Sequence, residues 1–198
     1  MLRNANTGIE KSSLREIMLA RRRSLTENSR SAMSLAIAGY VIGMPEVVHA
    51  CHIHIYLSIS TLAEVSTAPI IDELASIGKL LSVPVIRKGD LVSAAFKIND
   101  SVKSVQFGQF EPEEVSIVDE SYLDVILLPL LAFDERGYRL GYGKGFYDRL
   151  LKRFSEQGIN PARIGLAFLQ QRVDELPVDP WDEPLDAVVH EEGIIRYS

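Results

Sequence analysis

The sequence contains a single cysteine, no long apolar run and no excess of basic residues. Cys51 lies in an apolar-looking segment and permits no internal disulfide, which fits a reducing compartment. No stretch approaches the roughly 20 apolar residues of a membrane-spanning helix. The amino-terminal segment also lacks the continuous apolar core of a secretory signal. We therefore expect a cytoplasmic protein without a membrane segment.

The charge balance is acidic, with 21 Lys and Arg residues against 27 Asp and Glu residues and a net charge of −6. This balance argues against broad binding to nucleic acid or to an anionic membrane, because both require a basic surface. An anionic ligand would need a local basic pocket. The length of 198 residues suits one domain, residues 1–198, that buries about 70% of its unfolded surface. We expect it to be a monomer.

Apolar periodicity predicts alternating helices and strands. The helices are predicted at 13–24, 26–42, 69–78 and 144–157, and the strands at 52–59, 80–86, 91–98, 124–133, 163–168 and 186–189. Ser13 and Glu16 form a capping-box pattern, and Thr26 can cap the second helix. The continuous apolar run DVILLPLLAF (124–133) indicates a strand covered on both faces. The expected fold is a single α/β domain with a mainly parallel sheet flanked by helices, a Rossmann-like three-layer architecture without a GxGxxG fingerprint.

The most informative segment is DERGYRLGYGKGFYDR (134–149), which joins that strand to a predicted helix through Gly141, Gly143 and Gly145. A glycine-rich turn lets successive N–H groups face an anion, and phosphate is the natural ligand. The turn is not a Walker A loop, because Tyr138 and Gly145 occupy positions that the loop reserves for glycine and for Ser or Thr. The spacing of the glycines also misses the GxGxxG fingerprint of dinucleotide-binding folds.

Two charged residues strengthen the phosphate interpretation. Lys144 falls in the first turn of the predicted helix, where the macrodipole disfavours a cation unless an anion is bound nearby. Asp148 follows four residues later on the same face, and a carboxylate beside phosphates is a common Mg²⁺ ligand. The alternative is a Lys144–Asp148 surface ion pair after a flexible turn, which would contribute only about 0–1 kcal/mol.

The segment LAFDERGYRLGYGKGFYDR (131–149) closely resembles the signature of the 5-formyltetrahydrofolate cyclo-ligases, also called methenyltetrahydrofolate synthetases. The resemblance extends in order through KSSLR (11–15), YLS and AEVSTAP (within 56–69), FEP (110–112) and LPVDPWDEPLDAVV (176–189). It implies a ligase of one-carbon metabolism that uses ATP and Mg²⁺ to close 5-formyltetrahydrofolate into 5,10-methenyltetrahydrofolate, with release of ADP and phosphate. The sequence leaves open whether the folate substrate carries a polyglutamate chain.

The resemblance also implies roles for individual residues on the nucleotide side. The nucleotide-binding set is Lys11, Arg15, Arg139, Gly141, Gly143, Lys144, Gly145, Tyr147 and Asp148. Arg139 and Lys144 are expected to be catalytic, because a planar guanidinium and a compact ammonium can together neutralise phosphate oxygens.

A second set concerns the metal and the folate. Asp148 and Asp182 match the family carboxylates that hold Mg²⁺. The substrate-binding residues implied are Glu64, Leu57, Phe146 and Tyr147, with Glu64 accepting N–H bonds from the pterin.

Other functions remain open from the sequence. One is a paralogue with the same ATP site that acts on another small amide, and another is a non-catalytic protein that binds folate or nucleotide. RNA binding is opposed by the acidic charge and by the lack of an aromatic and basic sheet motif. His52 and His54 share a strand face, but an HxH pair alone is weak support for a metal site.

Overall fold

The computed structural model describes residues 4–105 and 108–197. The helices along these residues are α1 (Asn4–Arg23), α2 (Glu27–Ile42), α3 (Pro45–His49), α4 (Ala68–Ser76) and α5 (Phe146–Gln157). The strands are β1 (His52–Ile55), β2 (Leu80–Arg87), β3 (Asp90–Phe96), β4 (Val102–Ser104), β5 (Phe110–Pro112), β6 (Val125–Pro129), β7 (Ala132–Phe133), β8 (Arg139–Leu140), β9 (Ala162–Leu166), β10 (Ala187–His190) and β11 (Gly193–Arg196).

Seven of these strands form one sheet in the order β11-β10-β9-β6-β1-β2-β3. The five inner strands are parallel, and β3 and β11 pair antiparallel at the two edges. The predicted mainly parallel sheet is therefore confirmed. From β1 the chain crosses through α4 to β2 on one side, whereas from β6 it crosses through α5 to β9 on the other. Such a reversal opens a crevice at the carboxyl ends of the two strands.

Helices cover both faces of the sheet, as the apolar run of 124–133 predicts. Val125 and Leu127 of β6 pack in a core with α2 and α4, while Ile126 and Leu128 pack against Leu150 and other residues of α5. A fully buried side chain of this kind stabilises the fold by about 1.5–3 kcal/mol relative to an exposed one. The result is a three-layer α/β architecture.

The start of α1 differs from the prediction. The helix begins at Asn4, so Ser13 and Glu16 lie inside it, and both are exposed. The predicted start at Ser13 is wrong, because the three-residue spacing of a capping box is also the spacing of neighbours on an exposed helix face. The prediction for Thr26 is confirmed, since its hydroxyl accepts from the Ser29 N–H at 3.2 Å. Cys51, expected in an apolar segment, is exposed.

The glycine turn does not follow the buried strand directly. The strand ends at Pro129, and a β7–β8 hairpin separates it from the turn. The fully buried Asp134 holds the hairpin together, since its carboxylate accepts from the backbone N–H groups of Arg136, Tyr138 and Leu176. Burying a carboxylate without such donors would be costly.

The next helix also begins later than predicted. Gly145 has a φ of +65°, which a helix cannot include, so α5 starts at Phe146 with Gly145 as its N-cap. Lys144 therefore precedes the helix, and its predicted place in the first turn is wrong. Asp148 does lie in the first turn, where a negative charge is favourable.

Candidate active site

The glycine turn connects β8 to α5 and is held against α1 by Arg15. The Arg15 Nε donates to the Gly141 carbonyl at 2.9 Å. Gly143 has a φ of +87°, and a Cβ at this position would stand 3.1 Å from the Arg15 Cζ. A side chain there would be strained and would displace the guanidinium. Gly145 offers no side-chain acceptor to the first N–H groups of α5, and a helix N-terminus of this kind can bind an anion.

Arg139 lies beneath the turn as a buried cation with two partners. Its Nη2 donates to the Asp148 Oδ1 at 2.6 Å, and its Nη1 donates to the Glu183 carbonyl at 2.7 Å. Its side chain is only 4% exposed. Burial lowers the pKa of Arg139, and the charges of Asp148 and Asp182 oppose that shift. The bond with Asp148 joins the end of the hairpin to the first turn of α5.

Lys11 brings α1 to the carboxyl-terminal part of the chain. Its Nζ donates to the Oδ2 atoms of both Asp179 and Asp182 at 2.7 Å, and the Asp182 Oδ2 also accepts from the Asp179 N–H at 2.9 Å. Burial acts to lower the pKa of Lys11, but the hydrogen bonds and charges of the two aspartates outweigh it and raise that pKa. Lys11 is therefore a fixed cation.

Glu64 contributes a carboxylate to the site, in contrast to the cations Lys11 and Arg139. Its side chain is buried, its Oε2 accepts from the Ile59 N–H at 2.6 Å, and its Oε1 accepts from the Tyr142 hydroxyl. The Tyr142 hydroxyl in turn accepts from Nη2 of Arg22 at 2.7 Å. Burial raises the pKa of Glu64, while the bonds from Tyr142 and Ile59 and the charge of Arg22 oppose that rise.

Aromatic side chains form part of the wall. The partly buried Tyr147 ring meets His54 edge to face, with centroids 6.2 Å apart. Its hydroxyl is buried and has no hydrogen-bond partner among the described residues. Burial, with a contribution from Glu64, raises the pKa of Tyr147, so the hydroxyl stays protonated and can donate to a ligand. Phe110 and Trp181 also line the cavity, and they are 38% and 58% exposed.

The glycine turn, Lys11, Glu64, Arg139 and the aromatic wall face one cavity of about 320 Å³ at the crevice between β1 and β6. This volume lies in the usual range of roughly 300–1,000 Å³ for small-molecule sites. Every residue that the sequence assigned to a site lines it: Lys11, Arg15, Leu57, Glu64, Arg139, Gly141, Gly143, Lys144, Gly145, Phe146, Tyr147, Asp148 and Asp182. The structure brings the whole set together, and the role of each residue stays a prediction.

Comparison with known proteins identifies the family to which the chain belongs. Residues 7–191 match the model of the 5-formyltetrahydrofolate cyclo-ligase family. The chain belongs to this family. It is 36% identical over 174 residues to the 5-formyltetrahydrofolate cyclo-ligase of Escherichia coli strain K12, a match that covers 85% of this chain and 93% of that protein. The Mus musculus cyclo-ligase is 31% identical over 193 residues, covering 92% and 94% of the two chains.

A solved structure from the cyclo-ligase family has the same fold. The 5,10-methenyltetrahydrofolate synthetase of Aquifex aeolicus superposes with a TM-score of 0.82 at 33% identity, over 94% of this chain and 92% of that one. The described residues contain no helix that is long and apolar enough to cross a membrane.

Three residues that line this cavity or hold one of its side chains were not singled out from the sequence. Arg22 lies within a run of three arginines that resembles a solvated helix end, yet it is 1% exposed. Tyr142 stands between two of the turn glycines, but its side chain is directed away to Glu64. Asp179 lies three residues before Asp182, in a loop without periodicity. The spacing of Asp179 and Asp182 was the only available signal, and it is weak without knowledge of Lys11.

Proposed function

We propose that the chain is a 5-formyltetrahydrofolate cyclo-ligase that uses ATP and Mg²⁺ to form 5,10-methenyltetrahydrofolate, ADP and phosphate. One observation carries this proposal beyond family membership. A single cavity has cations and a glycine turn on one side, at Lys11, Arg15 and Arg139, and the buried carboxylate of Glu64 on another. Such a cavity offers donors to a polyphosphate and an acceptor to a pterin.

On the nucleotide side, Lys11, Arg15, Arg139 and Lys144 neutralise the phosphate oxygens. Arg139 suits this role because its guanidinium is held from both ends by hydrogen bonds, so little order has to be gained when a phosphate arrives. Lys144 lies in the turn itself, between two glycines of positive φ. Arg139 and Lys144 act on the phosphate that is transferred, and we propose them as the catalytic residues.

Asp148 and Asp182 fit a Mg²⁺ site. Both line the cavity, and both supply the hard oxygen ligands that Mg²⁺ requires. Among the described residues no group of three or more His, Cys, Asp or Glu side chains could form a metal cage. Two carboxylates suit a cation that takes its remaining ligands from water and phosphate. When bound, Mg²⁺ would neutralise part of the negative charge of the triphosphate.

On the folate side, Glu64 accepts N–H bonds from the pterin, and Leu57, Phe146 and Tyr147 provide the wall around it. A carboxylate has about four acceptor positions. Two of those of Glu64 are taken by Ile59 and Tyr142. Two others remain for donors of a ligand.

The reaction needs a way to remove the oxygen of a formyl amide, which is a poor electrophile. The γ-phosphoryl group moves from ATP to the formyl oxygen and ADP leaves. The N10 of the folate then attacks the formyl carbon, N10 loses its proton, and the phosphate departs with the formyl oxygen. The chain needs no side-chain nucleophile, since positioning and charge neutralisation are the main contributions to phosphoryl transfer.

The direct test is to mix purified protein with 5-formyltetrahydrofolate and Mg·ATP and follow the methenyl chromophore in the near ultraviolet. We expect product that depends on both ATP and Mg²⁺. ATP binding without turnover of this folate would favour a paralogue that acts on another amide. Binding of both ligands without any product would favour a non-catalytic protein. Size-exclusion chromatography tests the expected monomer.

A further inference from the structure

Three hydrogen-bonded side chains, of which Arg22 and Glu64 are buried and Tyr142 is partly buried, link α1 to the folate side of the cavity. Arg22, at 1% exposure, donates from Nη2 to the Tyr142 hydroxyl, and Tyr142 donates to Glu64. The direction of these bonds is fixed by chemistry. Arginine has no acceptor, so the Tyr142 oxygen must accept from Arg22, and its only hydrogen must go to Glu64.

These hydrogen-bonded side chains are anchored at Arg22. Arg22 also donates to the backbone carbonyls of Leu62 and Leu130, the latter at 3.0 Å. These bonds fix the guanidinium, and through it the hydroxyl that meets the Glu64 Oε1. The Ile59 N–H fixes the other carboxylate oxygen. Both Glu64 oxygens therefore have one donor from the protein.

The state of Glu64 matters for what it can bind. An ionised carboxylate accepts only, and the pterin presents an amino group and a ring N–H to it. A neutral carboxyl carries its own hydrogen, which would oppose one of those donors. Burial raises the pKa of Glu64, and the Tyr142 bond is the largest of the contributions that lower it. The Tyr142 hydroxyl thus offsets part of the effect of burial.

We propose that Tyr142 is a positioning residue that keeps the Glu64 carboxylate ionised and fixed for the pterin donors, with Arg22 as its anchor. The inference rests on the proposed function of the same cavity. Tyr142 lies in the glycine turn on the nucleotide side of the cavity, whereas its hydroxyl contacts Glu64 on the folate side.

Among the described residues, the titratable and charged groups that face Glu64 are Arg22 from α1, Tyr56 from the end of β1, Tyr142 from the glycine turn and Tyr147 from α5. Burial, together with the Glu64 charge, raises the pKa of each of these tyrosines, so none of them ionises in the acid range. Arginine remains charged throughout. Glu64 is therefore the member of this set that titrates as the pH falls.

The test is the pH profile of kcat/KM for 5-formyltetrahydrofolate at saturating Mg·ATP, measured for the wild type and for Tyr142→Phe. We expect the acid limb of the variant to move to higher pH, with a loss of about tenfold on that limb for each unit of the move. On the alkaline side, where Glu64 is ionised in both proteins, the ratio of variant to wild-type activity should no longer change with pH. A merely structural role would lower activity equally at every pH.

Tyr56→Phe is the matched control, because Tyr56 is buried near Glu64 but donates to the Val65 carbonyl instead, at 3.1 Å. Its acid limb should stay at the wild-type position. Glu64→Gln gives a second measurement that does not depend on the folding of the Tyr142 variant. A carboxamide does not titrate, so the acid limb should be absent from its residual activity.

The outcomes separate this inference from the proposed function. A wild-type protein that makes no methenyl product contradicts the proposed function itself. An active wild type whose acid limb is unchanged in Tyr142→Phe, or is retained in Glu64→Gln, overturns the role of Tyr142 alone.

Discussion

The buried imidazole of His54 should make the fold sensitive to mild acid. His54 lies on β1 and is fully buried, with its Nδ1 2.9 Å from the Ser93 Oγ. Ser93 donates its hydroxyl hydrogen to Glu120 at 3.0 Å, so Nδ1 of His54 must be the donor in the bond to Ser93. The other ring nitrogen, Nε2, is buried and has no partner among the described residues. A proton added there would bring a buried charge without an acceptor.

The size of the stability loss in acid follows from the pKa of His54. Burial, together with the nearby His52, lowers the pKa of His54 to about 3. In the unfolded chain a histidine has a pKa near 6.5, so below that pH the unfolded state binds a proton that the folded state does not. The stabilising contribution of neutral His54 is fully present above pH 6.5 and is lost as the pH falls towards 3. Between pH 8 and pH 5 the loss is about 2 kcal/mol, and any folded-state pKa below about 4 gives the same result.

The assay is urea unfolding followed by circular dichroism from pH 8 to pH 5, with His54→Asn as the comparison. The asparagine amide can keep a bond to Ser93 but cannot titrate. Its cavity will lower stability at every pH, so the comparison concerns the slope of the unfolding free energy against pH and not its absolute value. The pKa values of His52 and His190 are also lowered by burial, and subtracting the two slopes removes their contributions. Equal slopes in the two proteins between pH 6.5 and pH 5 would refute the argument.

Four further predictions concern the cavity and the core. Lys144→Ala should lower the rate by about 10²–10³ without changing the fold, and unchanged kinetics with ATP would remove Lys144 from catalysis. Asp182→Asn should increase the Mg²⁺ requirement whereas Asp179→Asn should not, although both residues contact the same lysine; equal Mg²⁺ dependence would contradict the metal assignment. Glu64→Gln should raise the folate KM with little effect on ATP affinity, and the reverse pattern in equilibrium binding would reverse the assignment. Gly165→Ala should destabilise the fold by about 1–3 kcal/mol in urea titration, because the added Cβ would stand 2.6 Å from a leucine Cδ2; wild-type stability would show that the core yields there.

Local patterns were enough to predict the sheet. The apolar run of 124–133 required cover on both faces, and the structure provides α2 and α4 on one side and α5 on the other. The hairpin after β6 was not predicted, because it depends on buried Asp134 and on a bond from Leu176, more than 40 residues away. Likewise, the conformation of Gly145 decides where α5 begins, and no periodicity reveals a positive φ.

The cavity shows the same division between local and distant information. The glycine turn and its charges were visible as one segment, and they lie together as the sequence suggested. The partners of those charges were not visible, because Lys11 meets Asp179 and Asp182 across more than 160 positions of the chain. Charges that are removed from water have to be compensated. From the sequence, each of these charged side chains is predicted to bind a ligand. In the fold, they also form ion pairs with other charged side chains of the protein.

This mutual pairing changes how a loss of activity can be interpreted. Removing Asp148 takes the carboxylate partner from Arg139, and removing Asp182 takes one of two carboxylate partners from Lys11. A buried cation that loses a countercharge can distort the site without any metal being involved. Low activity in an Asp182 variant is therefore insufficient to assign a Mg²⁺ ligand. Asp179 resolves the ambiguity because it holds Lys11 at the same 2.7 Å. A Mg²⁺ dependence that changes with Asp182 and not with Asp179 can only come from a role of Asp182 beyond the ion pair.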